Sequence, residues 1–445
     1  MSNINYYDII TFGCQMNEYD SGVMAGFCEA LGYFPAERQG EANLILINTC
    51  CVREKAENKV YGLLGRLRKL KQANPDLIIG VGGCMPQQKN IAREIKSRFP
   101  YVNFIFGPHT LFQLPQLIKR ANENKETMIA IQENPDEITE DKPVKQARIV
   151  CAWVPITFGC NNFCTYCIVP YVRGQERSRR PEAILHEVRQ LVASGYKEVT
   201  LLGQNVNSYG KDLPVEIDFA DLISQVCRIQ ELIRLRFLTS HPRDFHQKLI
   251  EEIARQPKVC EHIHLPVQAG SNKILTKMNR GYSREEYLAL IKNLRQAIPQ
   301  AAITTDLIVG FPGETTGDFL QTLDLIEKVR FTNAFTFVYS NRSGTPAAKM
   351  PDQVPAEVKK ERIQALIKIQ NEITIAENQA ETGKIHQVLG EGKNEKNPSL
   401  LAGRTGTNKL VFFPARKDLT GELVQVKITA ATLTHLAGIA QAALV

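Results

Sequence analysis

The sequence predicts an α/β chain in three parts: an N-terminal doubly wound parallel-sheet domain, a central partial (β/α)6 barrel and a small C-terminal antiparallel β-barrel. Three observations predict it. Short continuous apolar runs alternate with amphipathic helical stretches from the N-terminus to about residue 125, as buried parallel strands and their crossovers do. The alternation resumes from Cys151 to about Lys349 with six strand–helix repeats, which suits a partial barrel rather than a closed eight-stranded one. From about Gly383 the pattern changes to short strands separated by glycines and polar turns.

In the first part, Tyr6–Phe12, Asn43–Asn48, Leu77–Gly82 and Val102–Phe106 are the strand candidates. Helical periodicity fills the stretches near Asp20–Leu31, Val52–Ala73, Gln87–Arg98 and Leu111–Ala121. Residues 126–150 lose apolar periodicity and gain charge and proline, so they read as a linker with room for one added strand. The central part, 151–380, has strand candidates at Trp153–Phe158, Glu198–Leu202, Leu235–Thr239, His262–Leu265, Ile303–Val309 and Ala334–Tyr339. It ends in one long helical pattern, Val354–Glu381, that Pro355 opens. Residues 381–445 form the last part.

The chain has 445 residues, 11 cysteines and a formal net charge of +7. No apolar run approaches the length of a bilayer span, and the N-terminus lacks the basic and apolar regions of a signal peptide, so a cytoplasmic protein with no membrane partner is expected. Cysteines in that compartment point to metal or catalytic use rather than disulfides. The charge permits a polyanionic partner without demanding one.

Cys160, Cys164 and Cys167 form a C-x3-C-x2-C run. Three thiolates at that spacing can hold three irons of a four-iron cluster and leave the fourth iron open. A zinc site would want a fourth Cys or His, and none lies in the loop. Cys14, Cys50 and Cys84 each fall just after a strand and just before a helix, at the carboxyl edge where open parallel sheets bind ligands. Their convergence there suggests a second cluster; the alternative is three unrelated buried thiols. The other cysteines, Cys28, Cys151, Cys227 and Cys260, read as packing residues.

The run TFGCNNFCTYCIVPYVRGQERSR (157–179) resembles the cluster loop of the radical S-adenosylmethionine (SAM) superfamily. TFGCQMNEYDS, NTCCVREKAE and GVGGCMPQ are similar to the three cysteine motifs of the methylthiotransferase family, and the C-terminal strands resemble the RNA-binding TRAM domain. The resemblance runs through nearly the whole chain and is closest to the MiaB-type branch of that family, which acts on isopentenyl-adenosine in tRNA. Cys51 beside Cys50 departs from the motif, where a small non-thiol residue is more usual, and is a possible substitute ligand.

The resemblance implies two 4Fe-4S clusters, one on Cys160, Cys164 and Cys167 and an auxiliary one on Cys14, Cys50 and Cys84, with SAM as methyl donor and radical source. No catalytic side chain is implied beyond the clusters. It further implies insertion of methylthio at C2 of N6-isopentenyladenosine at position 37 of tRNA, next to the anticodon. Threonylcarbamoyl-adenosine in tRNA or a ribosomal-protein side chain is the alternative substrate, and a non-catalytic iron–sulfur protein is the rival class. The tRNA anticodon arm, a flavodoxin- or ferredoxin-like electron donor and a sulfur source are the implied partners. Candidate SAM contacts are Phe158 and Tyr166 at the cysteine loop, Gln204, Asn205, Ser240 and Gln268 after successive strands, and the turn Gly310, Pro312, Gly313 and Glu314. Candidate RNA contacts are Arg173, Arg177 and Arg179 after the loop, and Arg404, Lys409 and Arg416 in the last part, with Phe412 or Phe413 facing outward to stack on a base.

Overall fold

The computed structural model describes residues 5–51, 54–121, 123, 126–133, 138–140, 142–146, 148–415 and 417–441. The chain forms two compact units: residues 1–147 with 158–161 and 167–179, and residues 148–157 with 162–166 and 180–445. Cys160 and Cys167 therefore belong to the first unit and Cys164 to the second.

The first unit runs β1 (Asn5–Thr11), α1 (Gln15–Ala30), β2 (Tyr33–Pro35), β3 (Leu44–Thr49), α2 (Glu54–Ala73), β4 (Ile78–Gly83), α3 (Lys89–Arg98), β5 (Phe104–Phe106), α4 (Leu114–Ala121) and β6 (Met128–Ala130). All six strands are parallel, in the order β2-β1-β3-β4-β5-β6. β3 and β4 are buried along their whole length, which is why they read as unbroken apolar runs. The two edge strands, β2 and β6, have three residues each, too few for a periodic signal. From β1 the chain crosses to β2 on one side and then to β3 on the other. That reversal opens a crevice at the carboxyl ends of β1 and β3.

The second unit contains two three-stranded parallel sheets. One holds Cys151–Pro155, Glu198–Leu202 and Arg234–Leu238; the other holds His262–His264, Ala302–Val309 and Asn333–Val338. A bridge between Leu235 and Val259, and a hydrogen bond from Ser240 N to His264 O at 3.3 Å, join them side by side into a partial six-stranded barrel. Strand residues Val154, Leu201, Phe237, Ile263 and Leu307 pack against Ile184, Ile223, Ile250, Ile291 and Ile326 from the surrounding helices. Capping boxes at Asp218, Ser283 and Thr315 start three of those helices.

The long helix Ala356–Gln379 leads to a closed barrel of strands Ile385–Lys393, Leu400–Thr405, Leu410–Pro414, Leu436–Ala440 and Leu423–Ala431, in that order around the wall. The pair Leu410–Pro414 and Leu436–Ala440 is parallel, so the barrel is not wholly antiparallel as expected. The reason is parity: strands can alternate in direction around a closed ring only if their number is even, and here it is five. Arg234 and Arg236 anchor this barrel to the partial barrel. Arg234 donates to Arg404 O at 2.6 Å and Gln387 O at 2.8 Å, and Arg236 to Thr405 O at 2.7 Å and Gly406 O at 2.9 Å. Among the described residues, no helix is long and apolar enough to cross a membrane.

Candidate functional site

In the first unit, the crevice at the ends of β1, β3 and β4 holds Cys14, Cys50, Cys51 and Cys84. A buried amide network fixes the loops that carry them. Asn17 Nδ2 donates to Asn48 Oδ1 at 3.0 Å and Thr49 O at 3.1 Å, while Asn48 Nδ2 donates to Asn17 O at 2.7 Å and Ser21 Oγ at 2.9 Å. Cys84 N donates to Thr49 O at 2.9 Å. Gly83 permits that approach: its φ is +100°, and a Cβ there would lie 2.3 Å from Thr49 O. These bonds tie the first turn of α1 to the end of β3, and the end of β3 to the residue after β4.

The thiols form two pairs, Cys14 with Cys50 and Cys51 with Cys84. Among the described residues no three Cys, His, Asp or Glu side chains are drawn into metal-ligating geometry. The chemistry of the thiols still fits a cluster. The hydrogen bond with Cys50, and then the charge of Arg173, hold Cys14 down at about 6. The bond with Cys51, and then Arg173, lower Cys84. Cys51 itself is pushed up, by its bond with Cys84 and by burial. Thiolate ligands are therefore favoured at Cys14 and Cys84, and Cys50 is the member of the Cys50–Cys51 dyad that meets Cys14.

Arg173 and Arg179, expected as RNA contacts, are both buried and engaged within the first unit. Arg173 is paired with Asp20 at 2.6 Å and Arg179 with Glu140 at 2.6 Å. Arg177 is half-buried in the same stretch. Lys142 Nζ lies 5.7 Å from the ring centroid of Phe158.

In the second unit, Cys164 is buried and accepts from Arg280 Nη1 at 3.3 Å. Arg280 Nη1 also reaches Tyr166 OH at 3.5 Å, Nη2 donates to Pro266 O at 2.7 Å, and the guanidinium lies over the Tyr282 ring. Thr165 N donates to Met278 O at 3.0 Å and Thr165 Oγ1 to Lys277 O at 2.8 Å, locking this part of the loop to the helix end at 272–278.

Around the carboxyl ends of the barrel strands lie buried polar atoms with no hydrogen-bond partner: Thr157 Oγ1, Gln204 Oε1, Asn205 Oδ1, Ser240 Oγ, His241 Nε2 and Tyr339 OH. Unpaired buried polar atoms are costly, and their gathering at the edge where barrels bind ligands fits a polar ligand such as SAM. Gln204, Asn205 and Ser240 belong to the expected set; Thr157, His241 and Tyr339 were not anticipated. His241 Nδ1 accepts from Arg243 N at 3.3 Å, so Nε2 carries the proton, and burial first and then Arg280 hold the ring neutral with its pKa down at about 2. The TSHP sequence after the third strand was the signal for His241, but a His followed by Pro reads equally as a turn.

Gln268 has φ +74° and continues the strand ladder, its N donating to Asp306 O at 2.9 Å. Gly310 and Gly313 have φ +72° and +77°, so the GFPG turn needs glycine at both ends of Phe311 and Pro312. Glu314 holds that turn: its carboxylate accepts from Gly310 N at 3.0 Å and pairs with buried Arg362 at 2.7 Å.

In the C-terminal barrel, Phe413 is in the core and Phe412 faces outward, 4.9 Å from His435 centroid to centroid. Arg404 pairs with Glu391 at 3.2 Å. Lys409, expected as a phosphate contact, is half-buried, and its Nζ donates to Asn378 Oδ1 at 2.7 Å and Glu377 O at 3.3 Å at the end of the long helix. Arg416 lies outside the described residues.

Family models match in three successive stretches: "Uncharacterized protein family UPF0004" over residues 6–107, "Radical SAM superfamily" over 154–326 and "TRAM domain" over 379–440. A protein of Carboxydothermus hydrogenoformans named tRNA-2-methylthio-N(6)-dimethylallyladenosine synthase is 57% identical over 439 residues, 99% of this chain and 100% of that one. One of the same name from Desulforamulus reducens is 58% identical over 429 residues, 96% of this chain and 94% of that one. Among solved structures, the radical SAM methyltransferase TsrM of Kitasatospora setae is similar with a TM-score of 0.55 at 14% identity, covering 78% of this chain and 77% of that one. The cobalamin-dependent SAM radical enzyme OxsB is similar with a TM-score of 0.51 at 14% identity, covering 83% of this chain and 56% of that one. These two share the fold.

Proposed function

The chain belongs to the tRNA-2-methylthio-N(6)-dimethylallyladenosine synthase family, and from that premise we propose that it inserts a methylthio group at C2 of N6-isopentenyladenosine at position 37 of tRNA, beside the anticodon. It is a tRNA methylthiotransferase of the radical SAM superfamily and uses two 4Fe-4S clusters and SAM. The observation that carries the reading is the presence in one chain of two cysteine sets, one in a single loop and one at the strand ends of a parallel sheet. Radical cleavage of SAM needs only the first; sulfur insertion gives the second a purpose.

Cys160, Cys164 and Cys167 would hold one cluster and Cys14, Cys50 and Cys84 the other. When bound, the first supplies the electron that cleaves SAM to a 5′-deoxyadenosyl radical, and the second supplies the site for sulfur. A C–H bond of an aromatic ring has no useful acidity, so the chain's own part is positioning and exclusion of water. Arg280 holds the Cys164 segment. Thr157, Gln204, Asn205, Ser240, His241 and Tyr339 offer polar groups for the amino-acid and ribose parts of SAM, and the Gly310–Glu314 turn offers backbone groups for the adenine. Phe412 and Arg404 on the C-terminal barrel are candidates for tRNA contact, with Arg177 a further one. An external electron donor of flavodoxin or ferredoxin type, a sulfur source and a cytoplasmic location complete the reading.

The test is anaerobic turnover. Reconstituted protein, SAM and a reductant are incubated with tRNA carrying isopentenyl-adenosine, and the nucleosides are analysed by mass spectrometry. A methylthio mass gain on that nucleoside is expected. Release of 5′-deoxyadenosine without the gain would overturn the substrate and turn attention to threonylcarbamoyl-adenosine.

A further inference from the structure

Arg173 follows the last loop cysteine by six residues, yet within the first unit its side chain lies among the other cysteine set. Nε donates to Cys84 Sγ at 3.2 Å and Nη2 to Asp20 Oδ2 at 2.6 Å. The Arg173 and Asp20 side chains are only 6% and 8% exposed. The segment that carries Arg173 is held as well. The Arg173 backbone N donates to Val169 O at 2.8 Å, and Ile168 and Val172 pack against Cys51 and Cys84. Burying an arginine beside a thiol is costly, and the Asp20 carboxylate on α1 offsets its charge. The side chains are too deeply buried to meet RNA, so that role does not explain the pair.

We propose that Arg173, oriented by Asp20, is the positioning residue that holds Cys84 and sets the reduction potential of the cluster on Cys14, Cys50 and Cys84. The inference rests on the reading of those three cysteines as ligands. The physical reason is electrostatic. Reduction adds one negative charge to a centre already negative through its thiolates. An N–H donated to a ligand sulfur, and a cation beside it in a dry site, stabilise the reduced state more than the oxidised one and raise the potential. Asp20 opposes this by partly neutralising the cation.

The test uses the full chain with Cys160, Cys164 and Cys167 all changed to Ala, so that only the other cluster contributes to the spectrum. After anaerobic reconstitution with iron and sulfide, its potential is followed by electron paramagnetic resonance during a redox titration. In that background Arg173→Gln is expected to shift the potential downward and Asp20→Asn to shift it upward. Opposite signs separate this role from a loosened fold, which would move both the same way. Shifts of one sign, or parent-like potentials in both, would overturn the proposal. If Arg173→Gln does not fold, the sign for Asp20→Asn decides alone. A triple variant that folds but assembles no cluster would instead overturn the ligand reading itself.

Discussion

Arg280 and Cys164 stand 116 residues apart in sequence, and the Arg280 guanidinium donates to the Cys164 sulfur at 3.3 Å, both residues being buried. The same guanidinium holds Pro266 O at 2.7 Å, so it couples the cysteine loop to the segment after the fourth strand. Arg280→Ala leaves that carbonyl short of a donor and a cavity beside Tyr282. We expect it to lower unfolding free energy by about 2–3 kcal/mol. Urea unfolding checks the stability, and 5′-deoxyadenosine release, which should fall about tenfold or more, checks the chemistry. Arg280→Lys keeps the charge but not the fork of donors, and should recover only part of either. An alanine variant with parent stability and release would show that the contact is incidental.

Cys50 and Cys51 are neighbours in sequence with different partners, Cys14 and Cys84 respectively. Cys51 is pushed up by its bond to Cys84 and by burial, which suits a neutral thiol. We expect Cys51→Ala to retain thiolated product. Cys50→Ala should lose roughly half the iron of the reconstituted protein and all the thiolated product, while still cleaving SAM. Iron analysis with nucleoside mass spectrometry decides it. Product from Cys50→Ala would move the ligand role to Cys51.

Much of this was legible because burial leaves a plain mark on sequence. β3 and β4 are covered on both faces, so NLILIN and LIIGVG read as strands directly. The cysteines follow strand ends, and a strand end can be found from its strand. The residues whose partners the sequence did not show share one physical feature: a long polar side chain whose destination is far along the chain. Arg173 and Arg179 sit in a charged, glycine-containing loop that looks solvated, yet their partners are Asp20 and Glu140. Arg234 and Arg236 in RLRFL show only a strand with alternating charge, while their guanidinia bind carbonyls of the C-terminal barrel. Sequence spacing carries no distance information across such separations. The three-residue strand β2 was hidden for a different reason, since a period of two cannot be recognised over three residues, whereas β6 falls in the stretch read as a linker with room for one added strand.

Glu381 gives the join between the long helix and the C-terminal barrel an acid dependence. His386 bonds its carboxylate at 2.6 Å and, with Lys384 and Lys409 nearby, brings it down to about 2. A carboxyl lowered on folding contributes stability that is fully present above its unfolded pKa of about 4.3 and is lost as pH falls through the folded value. Stability should therefore decline between about pH 4.3 and pH 2, by about 1 kcal/mol once solvent screening is allowed for. Glu381→Gln should remove that part of the acid dependence. Urea unfolding of parent and variant at pH 7 and pH 3 checks it, and an unchanged difference between the two pH values would refute the assignment.

Ser240 carries the sharpest separation of stability from binding. Its residue is 3% exposed, and its hydroxyl is among the buried atoms that have no partner. A desolvated hydroxyl without a hydrogen bond costs free energy in the ligand-free protein, so Ser240→Ala deletes a liability there and should raise stability by up to about 1 kcal/mol. If the hydroxyl is there to meet SAM, the same change removes a hydrogen bond from the complex, and Kd for SAM should rise about fivefold to tenfold. Asn205→Ala makes the contrast. Asn205 Oδ1 also lacks a partner, but Nδ2 donates to Asp244 Oδ2 at 2.7 Å, so that variant should weaken SAM and destabilise the fold together. Calorimetric titration of reconstituted protein with SAM, set beside thermal unfolding without it, separates the two cases. A Ser240→Ala protein that binds SAM as the parent does would remove Ser240 from the site.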